Sequence, residues 1–413
     1  MLPRIRFPSF SGHYTEKSLH DAVLELKSGL SRMFSDSDIG LPVIRSNNIK
    51  DYCLDFNELK YWFEKDTQGA TTSNYHLRDG DILVNFINSQ AQIGKSAIYY
   101  NALNRDCIYT TNILSLRINK EYSPEFIFFF FQTKKYDDYI QSITKPAVNQ
   151  ASFTTKDFRK MKIFFPDLTE QTKIANFLCS VDEKIALLNK QYELLCQYKK
   201  GMMQKIFSQE VRFKDENGKD FPEWKQKKIR DITSLIKDGT HGTHNNVTKS
   251  DFFLLSAKNI QEGKVAIDKN DRKISEIEFR SIFKNYDLKP GDILLSVVGT
   301  IGRVAIYSEQ YSNYAFQRSV AFFRFPQEIP EFIYQLFNAT KFQKELLTRQ
   351  VISAQPGIYL GDLADISLEI PVQKEQMKIA NVLSALDDKI AAKKTELDKL
   401  KTWKQGLLQQ MFI

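Results

Sequence analysis

Paired cysteines, paired prolines and long apolar runs are all missing from this chain, and each absence removes a class of protein. The four cysteines of the 413-residue sequence, Cys53, Cys107, Cys179 and Cys196, form no C-x-x-C pair and no other metal-ligand spacing, so neither a zinc site nor a disulfide framework is expected, and a reducing cytoplasm suits them. The longest aromatic run, Phe126 to Phe131, is far short of the about 20 apolar residues of a membrane helix, and the opening MLPRIRFPSFSG has no apolar signal core, so no membrane partner is expected. No Pro-Pro dipeptide occurs, which excludes the Asn/Asp-Pro-Pro-aromatic motif of an amino-methyltransferase, and no glycine-rich cofactor loop accompanies it. Gly94-Lys95-Ser96 ends like a phosphate-binding loop, but Ser89 stands where that loop requires glycine, and a turn before a strand is the better reading. Asp81 and Asp292 recur in G-D-I-L, where a turn into a strand explains them without catalysis. His241 and His244 have no third ligand nearby in sequence, so no metal is expected. The sequence therefore predicts no catalytic residues and no cofactor.

What is present is a 42% hydrophobic, 26% charged composition with a net charge of +8, a soluble profile whose basicity weakly favours an anionic partner. The chain also repeats itself. PDLTEQTKIANFLCSVDEKIALLNKQYELLCQYKKGMMQKIF, from Pro166 to Phe207, aligns without a gap to PVQKEQMKIANVLSALDDKIAAKKTELDKLKTWKQGLLQQMF, from Pro371 to Phe412, with about 17 of 42 positions identical. Looser echoes precede both helices. Arg45-Ser-Asn-Asn-Ile49 answers Ser256-Ala-Lys-Asn-Ile260, Leu77-Arg-Asp-Gly-Asp-Ile-Leu83 answers Leu288-Lys-Pro-Gly-Asp-Ile-Leu294, and Pro124-Glu-Phe-Ile127 answers Pro330-Glu-Phe-Ile333. The sequence reads as one mixed α/β domain plus one long helix, written twice: domain 1 over 1–165, helical region over 166–208, a polar linker over 209–223, domain 2 over 224–370 and a second helical region over 371–413.

Apolar residues in the helical regions alternate at three and four, the seam of a coiled coil. The first seam is carried by Ile174, Leu178, Val181, Ile185, Leu188 and Leu195, and the second by Ile379, Leu383, Leu386, Ile390, Leu397 and Leu400. A helix of about 38 residues spans roughly 57 Å at 1.5 Å per residue, more than one turn of DNA. Lys199 and Lys404 fall at equivalent seam positions, either fixing register or reaching out to solvent. Antiparallel packing, the preferred reading, separates the two domains; parallel packing crowds them together. Within the domains, apolar helices are expected at Pro124 to Ile140 and Pro330 to Leu347, and return strands at Met161 to Phe165 and Ile366 to Ile370.

The duplicated E-Q-x-K-I-A-N at Glu170 and Glu375, the W-K-x-x-x-I-x-D-I opening at Trp224, Gly239-Thr240-His241 and P-G-D-I-L at Pro290 together resemble the specificity subunits of type I restriction-modification systems, over essentially the whole chain. The resemblance implies two α/β target-recognition domains spaced by an antiparallel coiled coil, each reading half of a bipartite site on double-stranded DNA. It also implies two modification subunits that bring S-adenosylmethionine, and restriction subunits that bring ATP-driven translocation and cleavage. One departure stands out: the first copy lacks Gly-Thr-His and has Lys27-Ser-Gly-Leu30 near that place. A degenerate nuclease and a purely structural coiled-coil protein remain as alternatives.

Base edges in the major groove are met by Arg or Lys at guanine and by Asn or Gln at adenine. The loops rich in those types that differ between copies supply the candidate DNA contacts. They are Arg45, Asn47 and Asn48 with Lys258 and Asn259; Thr240 and His241; and Lys145, Asn149 and Gln150 with Arg349, Gln350 and Gln355. Phosphate contact, or no contact at all, is the alternative for any single one of them.

Overall fold

A computed structural model describes residues 2–146, 150–351 and 356–413. Two compact units divide the chain: Met1–Asn189 with Thr395–Ile413, and Lys190–Lys394. Each unit holds one α/β domain and a stretch of both long helices, which run Leu168–Phe207 and Gln373–Met411.

The two units use one topology. In the first, a four-stranded antiparallel sheet has the order Val23–Ser28, Ile113–Ile118, Ile82–Asn85, Ser96–Ile98. In the second, Leu235–Asp238, Val320–Arg324, Ile293–Ser296 and Val304–Ile306 repeat that order. Beside it lies a three-stranded sheet in which a central strand pairs parallel to one neighbour and antiparallel to the other. That central strand is Leu41–Ile44 in the first unit and Phe252–Leu255 in the second. The central strands Ile82–Asn85 and Ile293–Ser296 are buried on both faces, which is why they read as continuous apolar runs rather than alternating ones.

The G-D-I-L aspartates sit where the chain turns into these strands. Asp81 accepts the backbone N–H of Arg78 at 2.9 Å and a two-pronged bond from Arg117 at 3.0 and 2.7 Å; Asp292 accepts from Lys289 N at 2.8 Å and from Arg324 at 2.8 and 2.7 Å. Gly94 and Gly302 both take positive φ ahead of a strand, the turn geometry that glycine permits at no steric cost.

The apolar helices expected at Pro124 to Ile140 and Pro330 to Leu347 are each broken in two. They run Pro124–Phe130 and Lys134–Ile143 in one unit, and Pro330–Asn338 and Thr340–Thr348 in the other. Thr133 leaves helical geometry and caps the next helix by accepting the N–H of Tyr136, while Ala339 is extended at the matching break. The return strands are Lys162–Phe165 and Ser367–Ile370, each paired with the strand that opens its domain.

The start of each long helix is fixed by a buried carboxylate. Glu170, with no exposed side-chain surface, is gripped by Arg6 through two bonds of 2.7 Å and by the Tyr14 hydroxyl at 3.0 Å. Glu375 is equally buried and is held by Arg212 at 3.2 and 2.8 Å and by the Trp224 indole N–H at 3.1 Å. The adjacent glutamines tie the helix to the domain as well, Gln171 accepting from Ser123 N and Gln376 from Ile329 N, both at 3.0 Å. Arg212 lies in the polar linker, so part of that segment is anchored by a two-pronged ion pair.

In the first unit, the opening of the first long helix lies along the closing part of the second. Phe177 meets Trp403 edge to face at 6.0 Å, and Asp182 pairs with Lys404 at 2.6 Å. In the second unit, Lys199 pairs with Asp387, also at 2.6 Å. Within the second unit partner order is reversed, Lys199 with Asp387 and, just past the helix end, Arg212 with Glu375, so the two helix stretches there run antiparallel. Asp182 and Asp387 are the same position of the sequence repeat, as are Lys199 and Lys404. The two lysines thus resolve in favour of pairing: their side chains are only 13% and 11% exposed, and each pair also contacts a buried glutamine of its domain, Gln335 on Asp387 and Gln132 on Lys404, at 2.7 and 2.8 Å. Seam residues Ile174, Leu178, Val181, Leu188, Ile379, Leu383 and Leu397 are buried, and Ile185, Leu195, Leu386, Ile390 and Leu400 half-buried. Helix tips enter the domain cores, with Phe412 4.8 Å from Phe126 in one unit and Phe207 6.0 Å from Phe332 in the other.

Two expectations follow. Arg6→Ala or Arg212→Ala strands a buried carboxylate and should cost about 3 kcal/mol of unfolding free energy, whereas the paired change Arg6→Met with Glu170→Leu should be close to neutral; chemical denaturation with each variant checks both. A Cβ on Gly29 or Gly239 would fall 2.1 Å from a backbone oxygen of Tyr109 or Phe316. Each Gly→Ala change should therefore lower the melting temperature, by an amount matching about 1–3 kcal/mol of overpacking, where an Ala substitution at open Gly12 should not.

Candidate nucleic-acid interface

Those two glycines bring three loops together. In the first unit, Gly29 ends strand Val23–Ser28 and packs so closely on the neighbouring backbone that Leu30 N donates to Tyr109 O at 2.8 Å and Thr111 N to Leu30 O at 3.2 Å. Thr110 N donates to Ile44 O at 3.0 Å, drawing in the loop that follows Leu41–Ile44. Ser31, Arg32, Arg45, Asn47, Thr111 and Asn112 thereby line one concavity of about 400 Å³.

The second unit repeats the arrangement bond for bond. Thr240 N donates to Phe316 O at 2.9 Å, Arg318 N to Thr240 O at 3.0 Å and Gln317 N to Leu255 O at 2.8 Å. The first copy lacks Gly-Thr-His, and its Gly29-Leu30-Ser31 occupies the same backbone site as Gly239-Thr240-His241, with different side chains. At equivalent positions of the repeat, Ser31 is replaced by His241, Asn47 by Lys258 and Thr111 by Arg318. One scaffold carries two hydrogen-bonding vocabularies.

The expected contact residues divide. Asn47 is exposed at its loop tip. Asn48 and Asn259 are not available, and this corrects their assignment. Both are buried; Asn48 accepts Arg45 N and donates to Asp55 O, each at 2.9 Å, and Asn259 accepts Ser256 N at 3.0 Å and donates to Ala266 O at 2.9 Å. They brace the loop beneath the variable positions. Arg45 is half-buried, with one nitrogen donating to Glu58 O at 2.9 Å and its Nε buried without a partner among the described residues. Lys258 bonds Asp271 at 2.6 Å while its side chain stays 63% exposed; the hydrogen bond to that carboxylate pushes its ammonium pKa up. Burial raises the Asp271 carboxyl, but bonds from Lys258, Asp268 N and Asn259 outweigh it and leave the group below the usual range.

Thr240 and His241 lie on the turn itself, where His241 pairs with Asp238 at 2.8 Å and His244 with Glu278 at 2.8 Å, so each histidine already has its own carboxylate. Arg349 is tied to Glu345 and to Asp362 O, and Gln350 is half-buried just beyond helix Thr340–Thr348. Lys145 and Gln150 are exposed, Lys145 in and Gln150 beside a small sheet formed with Ile87–Asn88, rather than in the lining of the concavity. Asn149 and Gln355 lie outside the described residues. The sequence reading missed Ser31, Arg32, Thr111, Asn112 and Arg318, although all of them either follow the conserved-shape glycine turn or precede the matched apolar strands Ile113–Ile118 and Val320–Arg324. Arg32 is held by Asp66 through two bonds of 2.9 Å, and that guanidinium keeps the Asp66 carboxyl well below the usual carboxylate range.

Among the described residues, no helix is long and apolar enough to cross a membrane, and no group of three or more His, Cys, Asp or Glu is placed to hold a metal ion.

The model of the type I restriction modification DNA specificity domain matches twice, over residues 37–197 and 222–402. A Methanocaldococcus jannaschii protein named as the MjaX type I restriction enzyme specificity subunit is 28% identical over 404 residues, covering 95% of this chain and 91% of that one. The MjaVIII specificity subunit of the same organism is 26% identical, covering 68% of each. Among solved structures, the type I restriction-modification S subunit from M. genitalium superposes with a TM-score of 0.61 at 14% identity, over 100% of this chain and 99% of that one. With two copies of the domain covering most of its length, the chain belongs to the family of type I restriction-modification DNA specificity subunits.

Proposed function

We propose that this chain chooses the DNA site for a type I restriction-modification complex and performs no chemistry itself. Each three-loop cluster reads one half of an asymmetric, bipartite sequence in double-stranded DNA, and the paired long helices set the unread gap. Two modification subunits dock on the chain and supply methylation, restriction subunits join through the assembled complex, and the whole works in the cytoplasm.

The observation that carries this reading is the pair of equivalent loop clusters with unlike side chains. A scaffold duplicated for stability alone has no reason to keep its braces, Asn48 and Asn259, while exchanging Ser31, Asn47 and Thr111 for His241, Lys258 and Arg318. We assign base reading to these positions together with Thr240 and Asn112, and phosphate contact to the outlying Lys145, Gln150 and Gln350. Long polar side chains meet base edges, and backbone-directed contacts set register.

The direct test is methylome sequencing of the host with and without the gene for this chain. One new bipartite methylated motif should appear with it; an unchanged methylome would reject the reading, and metal-dependent cleavage by the purified chain alone would favour a nuclease. A finer test is Arg318→Ala, which should lower discrimination at one position of one half-site by about 1–3 kcal/mol and leave the other half-site unchanged, as read by methylation of duplexes varied one base pair at a time.

A further inference from the structure

Thr240, in the second domain, sits at the end of a hydrogen-bonded relay. Glu278, on helix Glu276–Phe283, lies 2.8 Å from His244 Nδ1, and His244 Nε2 lies 2.8 Å from Thr240 Oγ1. The His244 side chain is only 11% exposed, so the ring is held in place. Gly242 N donates to the same hydroxyl oxygen at 3.2 Å. At the matching place in the first domain stands Leu30, buried and without a hydroxyl.

The proton positions follow from what each group can do. An ionised carboxylate only accepts, so the Glu278 contact requires the proton on His244 Nδ1. In the neutral ring so protonated Nε2 is bare and takes the Thr240 hydroxyl proton, whereas a doubly protonated ring would donate from both nitrogens and reverse that bond. One lone pair of Thr240 Oγ1 takes the Gly242 N–H. That leaves the hydroxyl oxygen one free lone pair and no proton to offer.

Resting on the reading of the Thr240 loop as a base-contacting loop, we propose that Glu278 and His244 fix Thr240 as an acceptor only, so that it selects a base bearing an exocyclic amine. In the major groove that amine is N6 of adenine or N4 of cytosine, whereas guanine and thymine present a keto oxygen at the corresponding place. Thr240 is the contact; His244 and Glu278 are positioning residues. The bonded pair His241 and Asp238 lies on the same turn and is not part of the relay.

The experiment uses the full chain assembled with its modification subunits. The probe is a duplex library that keeps the wild-type first half-site and gap and randomises the second half-site, selected by binding. Thr240→Val should reduce preference at one position of the second half-site by about tenfold, the loss of one hydrogen bond. Glu278→Leu removes the acceptor from Nδ1 and lets the ring carry its proton on Nε2, which then donates to Thr240 and turns the hydroxyl proton outward. Preference at that same position should change from adenine to guanine or from cytosine to thymine, a transition that a loss of structure would not produce. Continued selection of the unchanged first half-site reports that each variant is assembled. If Thr240→Val leaves every position of the second half-site as it was, or Glu278→Leu still selects the amine-bearing base, the relay does not set polarity. A wild-type complex that selects no second half-site at all overturns the parent reading, and the inference with it.

Discussion

Glu170 and Glu375 place negative charge where water does not reach, and the start of each long helix is built around meeting it. An unpaired carboxylate in such a place would cost several kcal/mol or take up a proton. Arg6 with Tyr14, and Arg212 with Trp224, remove that cost by supplying two-pronged charge-assisted bonds and a third donor. The consequence is mechanical. Each helix leaves its domain at a point and in a direction fixed by several directional bonds, and the neighbouring glutamine adds another to the turn before Pro124 or the residue before Pro330. Farther along, the Lys404–Asp182 and Lys199–Asp387 pairs apply the same logic to the contact between helices. A shift of register would separate a shielded ammonium from its carboxylate, so these pairs specify one alignment more than they add stability.

Around those fixed points the two copies share the residues that the backbone demands. The glycine turns at Gly29 and Gly239, the turn aspartates Asp81 and Asp292 and the bracing asparagines Asn48 and Asn259 recur because each meets a backbone demand that few residues can satisfy. The side chains above them are released from that demand. Such a division lets one fold carry two readers, and lets either reader change without disturbing the helices.

The periodic features were legible in the sequence. Alternating three-and-four spacing located both long helices to within two or three residues, because burial along a helix imposes that period over many turns. The ion pairs at their starts were not legible: Arg6 and Glu170 are 164 residues apart, Arg212 and Glu375 163, and nothing local in either arginine's neighbourhood announces its partner. The breaks at Thr133 and Ala339 fall in the polar stretches 132–135 and 338–341, which the sequence reading carried a single helix across. Asn48 and Asn259 were misjudged for an instructive reason. Their residue type suits adenine, but their recurrence in both copies marked them as part of the shared frame, while the neighbouring Asn47 and Lys258, which differ, are the ones that face out.

The account stands or falls on the long helices acting as a spacer whose length is independent of what the domains read. Four residues inserted at repeat-equivalent places in both helices lengthen each by about 6 Å, and methylome sequencing of a host carrying that variant measures the result. The account predicts a motif with both half-sites intact and a gap longer by about one to two base pairs; altered half-sites, or an unchanged gap, would contradict it.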